Sequence, residues 1–143
     1  MTSPFSAVNH IGYVVSDLDV ALQFFTELLG FEAVLERRGN ILPSDDIQTR
    51  RFGTDPSASG RFAFLRLADA LVEVLEWSAP NQNQTAPLNS DFGGRHLAIS
   101  VTDMPVALAK MRQFKGITIR EANDAGYIYC ATPFGLEIQL IPV

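Results

Sequence analysis

The sequence predicts an α+β protein in which one unit is used twice: a strand, a helix and three further strands, and then the same again. Three observations carry this. With His10 laid on His96, the stretch HIGYVVSDLDVALQFFTELLG also matches HLAISVTDMPVALAKMRQFKG at Val15/Val101, Asp17/Asp103, Val20/Val106, Ala21/Ala107, Leu22/Leu108 and Gly30/Gly116. Each stretch is followed by short apolar runs bounded by Gly, Pro, Asn or Asp, the pattern of strands and turns. A chain of 143 residues suits one domain whose core hides roughly two-thirds of the unfolded surface.

The elements follow in order. The strand beginning near His10 leads into SDLDVALQFFTELLG, where Ser16 or Asp17 supplies a cap, Asp19 sits in the first turn, and apolar residues recur at helical spacing from Val20 to Leu29 before Gly30 closes. FEAVLERR, RFAFLRL and LVEVLEW then read as three strands, with a turn at ADA between the last two. The polar stretch 39–60 interrupts them as either a lid or a solvated excursion; within it Asp45 is placed to cap a short helix through DIQTRRF, with Ile47 and Phe52 packing down and Arg50 and Arg51 turned toward solvent or ligand. This first unit spans about 5–78, a linker about 79–93, and the second unit about 94–143. In the second unit Thr102 or Asp103 caps, Pro105 falls near the first helical position, and Gly116 ends the helix. ITIREA, YIYCA and LEIQLI supply its strands, separated by turns at NDAG and TPFG.

Composition narrows the function classes. Sixteen acidic against eleven basic side chains give a net charge of −5, the wrong sign for a nucleic-acid or anionic-membrane surface, which needs clustered Lys and Arg. No window approaches the run of about 18 uncharged residues needed to cross a bilayer, and MTSPFSAVNH lacks the pattern of a signal peptide. The single Cys130, inside YIYC, reads as a buried small hydrophobe in a reducing compartment, so a cytoplasmic protein is expected.

Capping aspartates, apolar helix faces and terminal glycines are what any strand-to-helix unit wants, but the paired histidines are not explained that way. The chain has two histidines, both at the same place in the repeat, and imidazole is the commonest nitrogen ligand of first-row metals. In LVEVLEW, Glu73 shares a face with Leu71 and Leu75, and a carboxylate set among apolar neighbours costs several kcal/mol unless a cation or donor meets it. Glu76 falls on the other face and reads as solvated. In LEIQLI, Glu137 and Gln139 share one face, and matching VEVLE to IQLIP puts Gln139 opposite Glu73. Phe62, Phe64, Tyr127 and Tyr129 alternate on strands as core or pocket wall.

Through HIGYVVSDLDVALQFFTELLGF, LVEVLEWSAP, GGRHLAISVTDM and TPFGLEIQLI, nearly the whole chain resembles the vicinal oxygen chelate superfamily, the glyoxalase, bleomycin-resistance and extradiol-dioxygenase group. The resemblance implies two βαβββ modules forming an open eight-stranded mixed β-barrel, in a homodimer. It also implies one divalent metal ion (Zn, Ni, Fe, Mn or Co) held by His10, Glu73, His96 and Gln139. The last position departs from the pattern: members place glutamate four residues beyond the turn glycine, whereas Gly135 is followed by Glu137 and then Gln139. Gln139 as a neutral ligand leaves the ion about one charge unit more positive, and Glu137 is then either a base or the ligand in Gln139's place.

Of the activities the resemblance offers, the glyoxalase and epimerase type fits best. A divalent ion chelating two neighbouring oxygens of a small apolar or aromatic substrate stabilises an enediolate, while Glu73 or Glu137 moves the proton beside the carbonyl. A metal-free drug-binding and resistance protein is the alternative. An extradiol dioxygenase is disfavoured because Gln139 stands where its carboxylate belongs. Arg37, Arg38, Arg50, Arg51 and Arg61 are available to a thiol cofactor's carboxylates but read as ordinary surface charge.

Overall fold

The computed structural model describes residues 3–37 and 46–143. Among the described residues eight strands form two four-stranded mixed sheets that are not closed onto one another, an open arrangement. The first sheet holds β1 (Ile11–Val14), β2 (Glu32–Arg37), β3 (Ser59–Leu67) and β4 (Ala70–Ser78) in the order β1-β4-β3-β2. The second holds β5 (His96–Val101), β6 (Thr118–Ile119), β7 (Ile128–Ala131) and β8 (Glu137–Pro142) in the order β5-β8-β7-β6. In each sheet the first and last strands run parallel at one edge and the other neighbours are antiparallel.

Each sheet is crossed by the helix that the capping signals foretold. Asp17 accepts from the Val20 amide and Asp103 from the Val106 amide, both at 3.0 Å, satisfying one of the orphan donors at each helix start. Helix α1 (Leu18–Gln23) continues into a π-helical turn, Phe24–Leu28. The short helix α2 is Asp46–Phe52 and α3 is Met104–Gln113. The expected Asp45 cap lies outside the described residues, as do Arg38 and the side chains of Arg37 and Ile47. Phe52 is 55% exposed rather than packed down.

Three expectations from the sequence do not hold. ITIREA pairs as a strand only at Thr118–Ile119, although the Arg120 amide still donates to the Tyr129 carbonyl at 2.9 Å. Asn123 draws the chain out of the sheet, its side-chain oxygen accepting from the amides of Ala125 and Tyr127, a local bond that competes with the ladder. Glu76 is not solvated: it accepts from the Leu18 amide at 2.6 Å and from Nε and Nη2 of Arg61, whose Nη1 reaches Asp19 at 2.9 Å. Arg61, likewise, is a structural link between β3, β4 and α1 and not loose surface charge.

The core joins the halves. Phe24 is fully buried, and its ring makes edge contacts with Phe25 at 5.7 Å, Phe114 at 5.3 Å and Phe134 at 5.4 Å between centroids, so the first unit's helix is held by the second unit's residues. The Ser16 amide donates to the Phe134 carbonyl at 3.1 Å and Tyr13 Oη to the His96 carbonyl at 3.3 Å. Val72, Val74, Ala63 and Leu65 face this core from the first sheet, and Leu136, Ile138, Leu140 and Cys130 from the second. Alternation then sends Glu73, Glu137 and Gln139 to the other face of their sheets.

Candidate functional site

His10 sits immediately ahead of β1, and Gly12 two residues on lies opposite Glu73 in the parallel β1–β4 pairing. That diagonal brings His10 Nε2 to 3.4 Å from Glu73 Oε2. The other ring nitrogen, Nδ1, lies 2.7 Å from Asn9 Oδ1, an acceptor that orients the ring whenever Nδ1 carries a proton. Phe64 meets the imidazole edge-on at 5.1 Å. Beside Glu73 a cavity of about 230 Å³ is walled by Phe52, Phe62, Leu75 and Trp77.

The second sheet repeats the register with different chemistry. Ala98, the counterpart of Gly12, lies opposite Gln139, so Gln139 occupies the position of Glu73. His96 stands directly opposite Glu137, and its ring meets Tyr129 edge-on at 5.4 Å. Glu137, its side chain 14% exposed, is taken by Arg120: Nη2 donates to Oε1 at 2.5 Å and Nε to Oε2 at 3.4 Å. The same carboxylate holds the Arg120 guanidinium further above its already high range. Behind this face burial, reinforced by Glu137, pushes the Cys130 thiol up to about 11, so the sulfur is a neutral core atom. Burial also raises the Tyr13 phenol, against the opposing pull of Arg95.

The structure therefore brings His10 to Glu73, and His96 to Glu137, as two separate halves. Among the described residues no three His, Cys, Asp or Glu side chains gather at one point, so the expected meeting of His10, Glu73 and His96 does not occur within a single chain. Asn9 and Arg120 were missed by sequence reasoning. Asn9 gives no periodic signal, whereas the alternation of ITIREA places Arg120 on one face with Thr118 and offered the clue.

The first half fits a metal. Its imidazole nitrogen and carboxylate oxygen face one another, two donor atoms of the kinds a first-row divalent ion takes. Two ligands each about 2.0–2.2 Å from a tetrahedral ion stand about 3.4 Å apart, which is the separation found.

The sequence model of the Glyoxalase/Bleomycin resistance protein/Dioxygenase superfamily matches residues 7–140. A 2-epi-5-epi-valiolone epimerase from Actinomyces sp. is 39% identical over 145 residues, 94% of this chain and 78% of that protein. Among solved structures, a glyoxalase family protein from Bacillus cereus superposes with a TM-score of 0.73 at 17% identity, covering 99% of this chain and 98% of the other. The fosfomycin resistance protein FosX from Listeria monocytogenes, complexed with Mn(II) and a dihydroxypropylphosphonic acid, gives 0.62 at 13% identity, covering 96% and 90%. At these identities the structures speak for the fold alone.

Proposed function

The chain belongs to the Glyoxalase/Bleomycin resistance protein/Dioxygenase superfamily, and from that premise we propose that it is a divalent-metal-dependent isomerase that moves a proton on the carbon beside a carbonyl. Its substrate is that of the epimerase it is similar to, 2-epi-5-epi-valiolone, or a close analogue. The observation that carries this is the His10–Glu73 pair at 3.4 Å with Nδ1 tied to Asn9.

His10, Glu73, His96 and Gln139 would hold the ion, which when bound supplies the positive charge that makes the carbon beside a chelated carbonyl acidic. Glu73 is the better of the two candidate bases because it borders the cavity, whereas both oxygens of Glu137 are engaged by Arg120. Phe52, Phe62 and Trp77 give the ring an apolar wall and hold water off the reacting carbon. Each chain supplies two half-sites on separate sheet faces, so a homodimer that sets the first half of one copy against the second half of the other completes the set. The half-exposed aromatic residues on those faces suit such burial.

The test is proton exchange. Incubated in D2O with 2-epi-5-epi-valiolone and one equivalent of Mn(II), Co(II), Ni(II) or Zn(II), the protein is expected to place deuterium beside the carbonyl, seen by NMR, and to lose this with a chelator. No metal binding and no exchange with any of these ions overturns the reading.

A further inference from the structure

On the reading that the site holds a divalent ion, we infer that Arg120 is a positioning residue that withholds Glu137 from the metal and leaves the amide oxygen of Gln139 as the fourth ligand. One carboxylate, Glu137, and one amide, Gln139, within a single strand compete for this place, and the geometry separates them. The first sheet shows which register meets an imidazole: Glu73, opposite Gly12, reaches the histidine two residues before Gly12. The same register in the second sheet, opposite Ala98, belongs to Gln139. Glu137 lies one step nearer, directly across from His96, and its register counterpart in the first sheet is the apolar Leu71.

An unpaired carboxylate there, 14% exposed and beside an imidazole, would itself seek a cation. Arg120 supplies one. Its Cα lies across from Tyr129, through the bond from its amide to the Tyr129 carbonyl, so the side chain passes over β7 to grip both oxygens of Glu137 on β8. A two-point guanidinium grip is both strong and directional, which an ammonium cannot reproduce. The two halves therefore keep a histidine each but differ in the charge of the oxygen ligand, one anionic and one neutral, and Arg120 enforces the difference.

The experiment is a Co(II) titration of the purified protein read by visible absorption, which reports the ligand set independently of turnover. Wild type is expected to bind about one ion per chain. Gln139→Ala should weaken binding by about tenfold or more, and Glu137→Gln by less than about threefold. Adding Arg120→Met to Gln139→Ala frees the carboxylate and should restore binding to within about threefold of wild type, with a shifted spectrum. Arg120→Lys, which keeps the charge, combined with Gln139→Ala should restore less. Weak binding in Arg120→Met/Gln139→Ala while its circular dichroism stays native, or a Glu137→Gln loss as large as that of Gln139→Ala, overturns the assignment of Arg120 and spares the metal site. Failure of wild type to bind Co(II) overturns both.

Discussion

The two sheets of this protein share one skeleton and differ at the same few positions. Both cap a helix with aspartate, both place a histidine at the start of the parallel edge pair, and both send an oxygen-bearing side chain to the register opposite the residue two beyond that histidine. In the first sheet that side chain is Glu73, set beside an apolar cavity and in reach of His10. In the second it is Gln139, and the nearby acid is neutralised by Arg120. Backbone positions are set by packing and tolerate little, whereas the charge of one exposed-face side chain is free to change once a partner absorbs the consequence.

The comparison is broken most completely by removing one histidine from each copy. His10→Ala and His96→Ala should each lose activity by about a hundredfold or more and metal affinity by at least about tenfold. Mixed, refolded dimers of the two should regain activity, because one of their two sites would carry both wild-type halves; a mixture as dead as its parents would overturn the shared site. Next in size is Phe24→Ala, which opens a cavity where the first unit's helix meets Phe114 and Phe134. About 3–5 kcal/mol of stability should go, measured by urea unfolding as one transition.

Smaller is the Glu76 link, which only the first copy possesses. Arg61, and then the Leu18 amide, hold the Glu76 carboxyl below the ordinary carboxylate range, against the opposing effect of burial. A carboxylate lowered on folding contributes stability above its unfolded pKa and loses it as pH falls toward the folded value. Glu76→Gln should thus cost about 1–2 kcal/mol at pH 7, and the gap from wild type should close below about pH 4. Smallest and most symmetrical are Asp17→Ala and Asp103→Ala, each expected to cost about 1 kcal/mol through the lost cap. A difference of more than about 1 kcal/mol between them would mean the two helix starts are no longer equivalent.

Periodicity and capping made most of the architecture legible before any coordinates. The helix starts and even the short helix through DIQTRRF are local patterns with local causes. The equivalence of Glu73 and Gln139 was legible too, because a period-two register survives duplication. What the sequence hid was pairing across distance. Glu76 looked solvated because nothing local announces that a helix amide and Arg61 wait for it, and Arg120 was missed because its diagonal to Glu137 spans two strands. The separation of the half-sites was hidden for the same reason: alternation says which face a side chain takes, but not which other face it meets.

The ring of Phe24, lodged among residues of the second unit, has a consequence for the segment between the units. Because the halves grip one another through Phe24, Phe134 and the Ser16 amide, the 79–93 stretch connects them without being what holds them. A protease nick there would leave two fragments that stay associated, and separately made pieces would reassemble by complementation.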